Sequence, residues 1–106
     1  MELIDEIEEL IMMHQEGSYW DFKREWYDDS KDGDLLIDII CMANNLVDRD
    51  AYIIIGVNEE CDYAIHDVSQ DANRRNTQML TDFIRGKKFA GDFRPVVTVE
   101  QVHLDG

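Results

Sequence analysis

Ala51-Tyr52-Ile53-Ile54-Ile55-Gly56-Val57 is an unbroken run of β-branched and aromatic residues, too short for a helix and bounded by polar segments on both sides. Such a run reads as a central strand covered on both faces. Immediately upstream, Leu35, Leu36, Ile39, Ile40, Ala43, Leu46 and Val47 recur at helical spacing and predict a mostly buried helix that feeds the strand through a charged loop. Before that helix, Asp28 to Asp34 is a polar loop, and Ser18 to Trp26 alternates. Trp20 and Phe22 point to one face, and Tyr19, Asp21, Lys23 and Glu25 to the other, as on a strand with one buried side. The chain starts with an amphipathic helix from about residue 2 to 14, carrying Leu3, Ile4, Ile7, Leu10 and Ile11 on one face, and Gly17 stops it.

Downstream, Asn58 to Asp62 is turn-like, and Tyr63 to Val68 is placed to pair back as the second arm of a hairpin. Ser69 or Asp71 is positioned to cap a third helix with apolar residues Met79, Leu80, Phe83 and Ile84. Arg74, Gln78, Thr81, Arg85 and Lys88 form a polar, basic stripe opposite them. Pro95 then opens a final strand through Val96, Val97, Val99, Val102 and Leu104. Asp105-Gly106 is a hairpin-turn signal, which suggests the N-terminal fragment of a longer protein, cut before a return strand. The order predicts an α+β domain: a small mixed β-sheet of about four strands with three helices, lacking a C-terminal return strand.

At 106 residues the chain has room for one domain and one core. Its 24 Asp and Glu against 10 Lys and Arg give a net charge of -14, so polyanion or anionic-membrane binding has to come from a local patch. One such patch exists. Between residues 72 and 94, Arg74, Arg75, Arg85, Lys87, Lys88 and Arg94 meet only Asp82 and Asp92, whereas residues 1 to 34 carry twelve acids and three bases. The alternatives are an ordinary solvated helix face, or a surface that docks on the acidic first helix of another copy. No stretch has the make-up of a signal peptide or membrane span, and Cys41 and Cys61 have no zinc-like spacing. Free thiols, a reducing compartment and a cytoplasmic location are expected. His14, His66 and His103 are scattered, and no phosphate-cradling Gly-rich loop occurs, which speaks against ATP binding.

Glu16-Gly17-Ser18-Tyr19-Trp20-Asp21-Phe22-Lys23 places one carboxylate in the loop before a strand and another on its polar face beside a lysine. Two carboxylates converging there suit a hard cation such as Mg²⁺ or Mn²⁺; the competing reading is a solvated Asp21–Lys23 pair. Asp-x-Lys on a strand is similar to the Asp/Glu-x-Lys segment of a large nuclease class. Asp21-Phe22-Lys23, the helix ending at Ala43-Asn44-Asn45 and the strand ending at Gly56-Val57 together resemble the Alba-like domain of the Schlafen family over residues 16 to 104. That domain is also described as a divergent AAA domain in proteins named as bacterial transcriptional regulators. Asp21 stands where the family has Glu, and Leu46-Val47-Asp48-Arg49-Asp50 replaces its Gly-Gly turn.

The resemblance implies first a nucleic-acid-binding module of a bacterial DNA-binding regulator. Its contacts would be Arg74, Arg75, Arg85, Lys87, Lys88 and Arg94. The alternative is a metal-dependent endoribonuclease. For that activity the family's three carboxylates map onto Glu16, Asp21 and a third, either Asp48 or Asp50, in the Asn-helix turn. A third reading is a homo-oligomerisation or protein-partner module.

Overall fold

The computed structural model describes residues 2–44, 49–87 and 95–104. Helix α1 (Leu3–Met12) leads to strand β1 (Trp20–Lys23); a 3-10 turn (Asp29–Lys31) enters helix α2 (Asp32–Ala43). Strand β2 (Tyr52–Ile55) and strand β3 (Val57–Asn58) follow, then a second 3-10 turn (Glu59–Cys61), strand β4 (Ala64–Ile65) and helix α3 (Thr77–Arg85). Strands β1 and β2 are parallel, with Trp20 opposite Tyr52 and Lys23 opposite Ile55, whereas β3 and β4 are antiparallel. Three helices with a small mixed set of about four strands make this the expected α+β class.

Two apolar clusters flank the β1–β2 pair. Ile7, Leu10 and Ile11 of α1 pack with Trp20, Phe22, Ile54 and Val57. The other cluster joins Tyr27, Leu35 and Ile39 with Leu80 and Ile84 of α3, with Ile53 packed against it. Phe22 and Ile54 are register partners on one face, and Asp21 and Ile53 on the other, so the sheet is covered on both sides.

Several expectations change. Residues 51 to 57 do not form one strand, because Gly56 (φ +109) turns the chain between β2 and β3. The His66 carbonyl lies 2.8 Å from where a Cβ on Gly56 would stand, so the turn is closed to any side chain. Among the described residues β2 pairs only with β1 and is therefore not central. The hairpin between residues 57 and 65 forms as expected. Helix α3 is capped by Asn76, whose side chain accepts from the Met79 amide at 2.8 Å, instead of by Ser69 or Asp71. Asp71 serves elsewhere, accepting from the Trp26 amide at 3.0 Å.

Residues 95–104 form no strand. Val97 and Val99 pack against the α3 cluster and Leu104 against the α1 cluster, and Thr77 holds the Val99 amide at 2.8 Å. Leu46, Val47 and Asp105-Gly106 lie outside the described residues. Among the described residues, no helix is long and apolar enough to cross a membrane.

Candidate metal-binding carboxylate site

Glu16 sits in the loop between α1 and β1, and Trp20 fixes that loop. The Trp20 indole N–H donates to the Gln15 carbonyl at 2.8 Å, and the Gly17 amide donates to the Trp20 carbonyl at 3.2 Å. A Cβ on Gly17 would fall inside the Trp20 six-membered ring's van der Waals surface, so glycine is what lets the loop lie flat on the indole. Asp21, one residue along β1, is 8% exposed instead of lying on a solvated face. One of its oxygens accepts from the Phe22 amide at 2.9 Å, and the other lies 3.4 Å from the Lys23 ammonium.

The third carboxylate arrives from far along the chain. After the Gly56 turn β3 packs in contact with β1, and Glu59 opens the 3-10 turn that follows β3. Carboxylate oxygens of Glu16, Asp21 and Glu59 all lie within 4.8 Å of one another. Oxygen ligands on opposite sides of one hard cation stand about 4–5 Å apart, so this spacing fits Mg²⁺ or Mn²⁺, and an all-oxygen donor set is what such ions take. The crowding is visible in the protonation of Glu16, whose carboxyl is pushed up to about 8 by hydrogen bonding with Glu59, then by burial and by Asp21. Like charges this close disfavour ionisation of Glu16, and a bound cation would relieve that.

Of the residues expected to form the site, Glu16 and Asp21 are brought together. Asp50 is exposed in the segment before β2 and is not among the three, and Asp48 lies outside the described residues. Glu59 supplies the third carboxylate instead. Its signal in the sequence is the first of two acids, Glu59-Glu60, after Gly56-Val57-Asn58, and the tertiary contact of β3 with β1 gives it meaning.

The basic stretch is divided. Arg75 has a side chain only 11% exposed, paired with Asp32 at 2.5 Å and stacked over the Phe83 ring at 5.2 Å, so it is spent on structure. Arg74 is exposed and donates to the Ser69 carbonyl at 2.6 Å. Arg85 is exposed beside Asp82 at 3.7 Å, and the Lys87 ammonium stands 4.8 Å from the Phe83 ring centre. Lys88 and Arg94 lie outside the described residues. An open cavity of about 620 Å³ takes in Glu59 of the three carboxylates and is lined by Lys23, Trp26, Tyr27, Asp38 and Asn58 among others.

No curated protein and no solved structure matches the chain. The family model described as Schlafen, AlbA_2 matches residues 16–106 and so spans the Glu16, Asp21 and Glu59 segments together with both strand pairs. The chain belongs to the Schlafen, AlbA_2 family, a membership consistent with a nucleic-acid-related function.

Proposed function

We propose that this domain is a divalent-cation-dependent nuclease acting on RNA, with Glu16, Asp21 and Glu59 as the cation ligands. The supporting observation is the convergence of those three carboxylates within 4.8 Å from three separate segments. Glu16, Asp21 and Glu59 would hold Mg²⁺ or Mn²⁺, which would supply an activated water and neutralise charge that builds on a phosphoryl group. Asp21 is the anchor, fixed by burial and by the Phe22 amide; Glu16 and Glu59 are exposed and come from the loop before β1 and the turn after β3. Lys23 lines the adjoining cavity and offers a fixed positive charge to a phosphate lying in it. Free Cys41 and Cys61 suit a reducing, cytoplasmic setting.

The test is cleavage of end-labelled single-stranded RNA with Mn²⁺ and with chelator. Cleavage is expected with Mn²⁺, abolished by chelator and by Asp21→Asn, and strongly reduced by Glu59→Gln. RNA left intact by the folded wild-type protein across Mg²⁺ and Mn²⁺ concentrations overturns this function.

A second reading, a DNA- or RNA-binding module of a transcriptional regulator, is favoured by the exposure of Arg74 and Arg85. Its mark is cation-independent binding weakened by Arg74→Glu or Arg85→Glu.

A further inference from the structure

The Lys23 ammonium stands between two carboxylates, 3.4 Å from Asp21 Oδ2 and 3.5 Å from Asp38 Oδ2. Asp38 comes from α2 and lines the same cavity as Lys23 and Glu59, and its Oδ2 accepts the Tyr27 phenol at 2.5 Å. The ammonium also lies 5.8 Å from the Tyr27 ring centre. Lys23 is therefore tethered by a second acid and an aromatic ring that have no place among the three clustered carboxylates.

The tether matters because of what the ammonium would otherwise do. Glu16, Asp21 and Glu59 crowd three carboxyl groups together, and Lys23 already touches one of them. An ammonium released from Asp38 has Asp21 as its remaining carboxylate partner, and its flexible four-carbon stem lets it turn toward the cluster. There it would neutralise the charge that draws a cation and occupy the space the cation needs.

We propose that Asp38, braced by the Tyr27 phenol, is a positioning residue that holds the Lys23 ammonium out of the Glu16, Asp21 and Glu59 cluster and so keeps it open to a divalent cation. This rests on the reading of those carboxylates as a cation site. It makes α2, which contributes no ligand, part of the machinery that sets cation affinity.

The experiment is Mn²⁺ titration of the folded protein, read by the electron paramagnetic resonance of free Mn²⁺, on wild type, Asp38→Asn, Tyr27→Phe, Lys23→Gln and the Asp38→Asn/Lys23→Gln double variant. Removing a partner that orients a site typically costs about 10- to 100-fold in metal affinity, and a loss at the lower end of that range is expected for Asp38→Asn. The double variant should bind as tightly as Lys23→Gln alone, because without an ammonium to restrain, Asp38 has nothing to do. Tyr27→Phe keeps the packing and should give a smaller loss of the same kind, and Asp38→Glu should recover most of the affinity. An unchanged affinity in both Asp38→Asn and Tyr27→Phe overturns the proposal. So does an equal Asp38→Asn loss with and without Lys23, which would make Asp38 a distant charge only. A wild-type protein that takes up no Mn²⁺ overturns the cation site itself, an outcome distinct from either of these.

Discussion

Trp20 links two tasks at the residue scale: it fills the α1 cluster, and its indole N–H and ring hold the Gln15 to Gly17 loop that carries Glu16. Gly17→Ala forces a methyl group into that ring, and a clash of this kind in a packed core costs about 1–3 kcal/mol. Chemical denaturation should show that loss, together with weaker Mn²⁺ uptake as Glu16 is displaced; a fully stable variant would mean that the loop is not seated on the indole. Glu16 also gives the molecule a pH signature. Its carboxyl holds a proton up to about pH 8 in the folded chain against an ordinary value of 4.5, so the folded state binds that proton more tightly. The stability it contributes is complete below the lower value and is lost as pH rises through the upper one. The melting temperature of the metal-free protein should therefore fall across that window, and Glu16→Gln should flatten the fall; superimposable profiles would assign the proton to another group. Glu16 and Asp21 were legible in the sequence because they are local to one loop and strand. Glu59 was not, since its nearness to Asp21 comes from the contact of β3 with β1, which no local pattern encodes.

At the scale of elements, periodicity found α1 and α2 because each buries residues its spacing marks, Ile7, Leu10 and Ile11, then Leu35 and Ile39, although α2 is less buried than expected, with Leu36 and Ile40 half-buried and Ala43 exposed. It failed where a single residue or a tertiary partner decides the outcome. Gly56 splits the β-branched run, and its positive φ makes the hairpin possible. The Val-rich end of the chain carries strand-forming residues, yet strand preference expresses packing on neighbours more than backbone choice. Here the neighbour is α3, whose Thr77 hydroxyl accepts the Val99 amide at 2.8 Å and faces the Val99 carbonyl at 3.5 Å. Thr77→Val keeps the shape and removes both interactions. A loss of about 1 kcal/mol is expected, with faster amide hydrogen exchange at Val99. If exchange there is unaltered, side-chain packing of Val97 and Val99 holds the segment without Thr77.

For the whole molecule, charge is the quantity to reason with. The basic stretch was legible as composition, but the fold turns Arg75 inward onto Asp32, which leaves Arg74, Arg85 and Lys87 as its described outward-facing cations on a body of net charge -14. Each phosphate contact on a single strand contributes about -0.7 to the slope of log affinity against log salt, so three contacts give a slope near -2 at most. In chelator, RNA binding measured by fluorescence anisotropy should therefore be weak and only shallowly dependent on salt, and Arg74→Glu should reduce the slope by about 0.7. Arg75→Ala should behave differently, lowering the melting temperature through the lost Asp32 pair while leaving the slope unchanged. Added Mn²⁺ should tighten binding in wild type but not in Asp21→Asn, because the cation offsets the carboxylates that otherwise repel the phosphates beside Lys23. A steep slope in chelator that Mn²⁺ does not alter would instead place recognition on the basic face and make the carboxylate cluster a bystander.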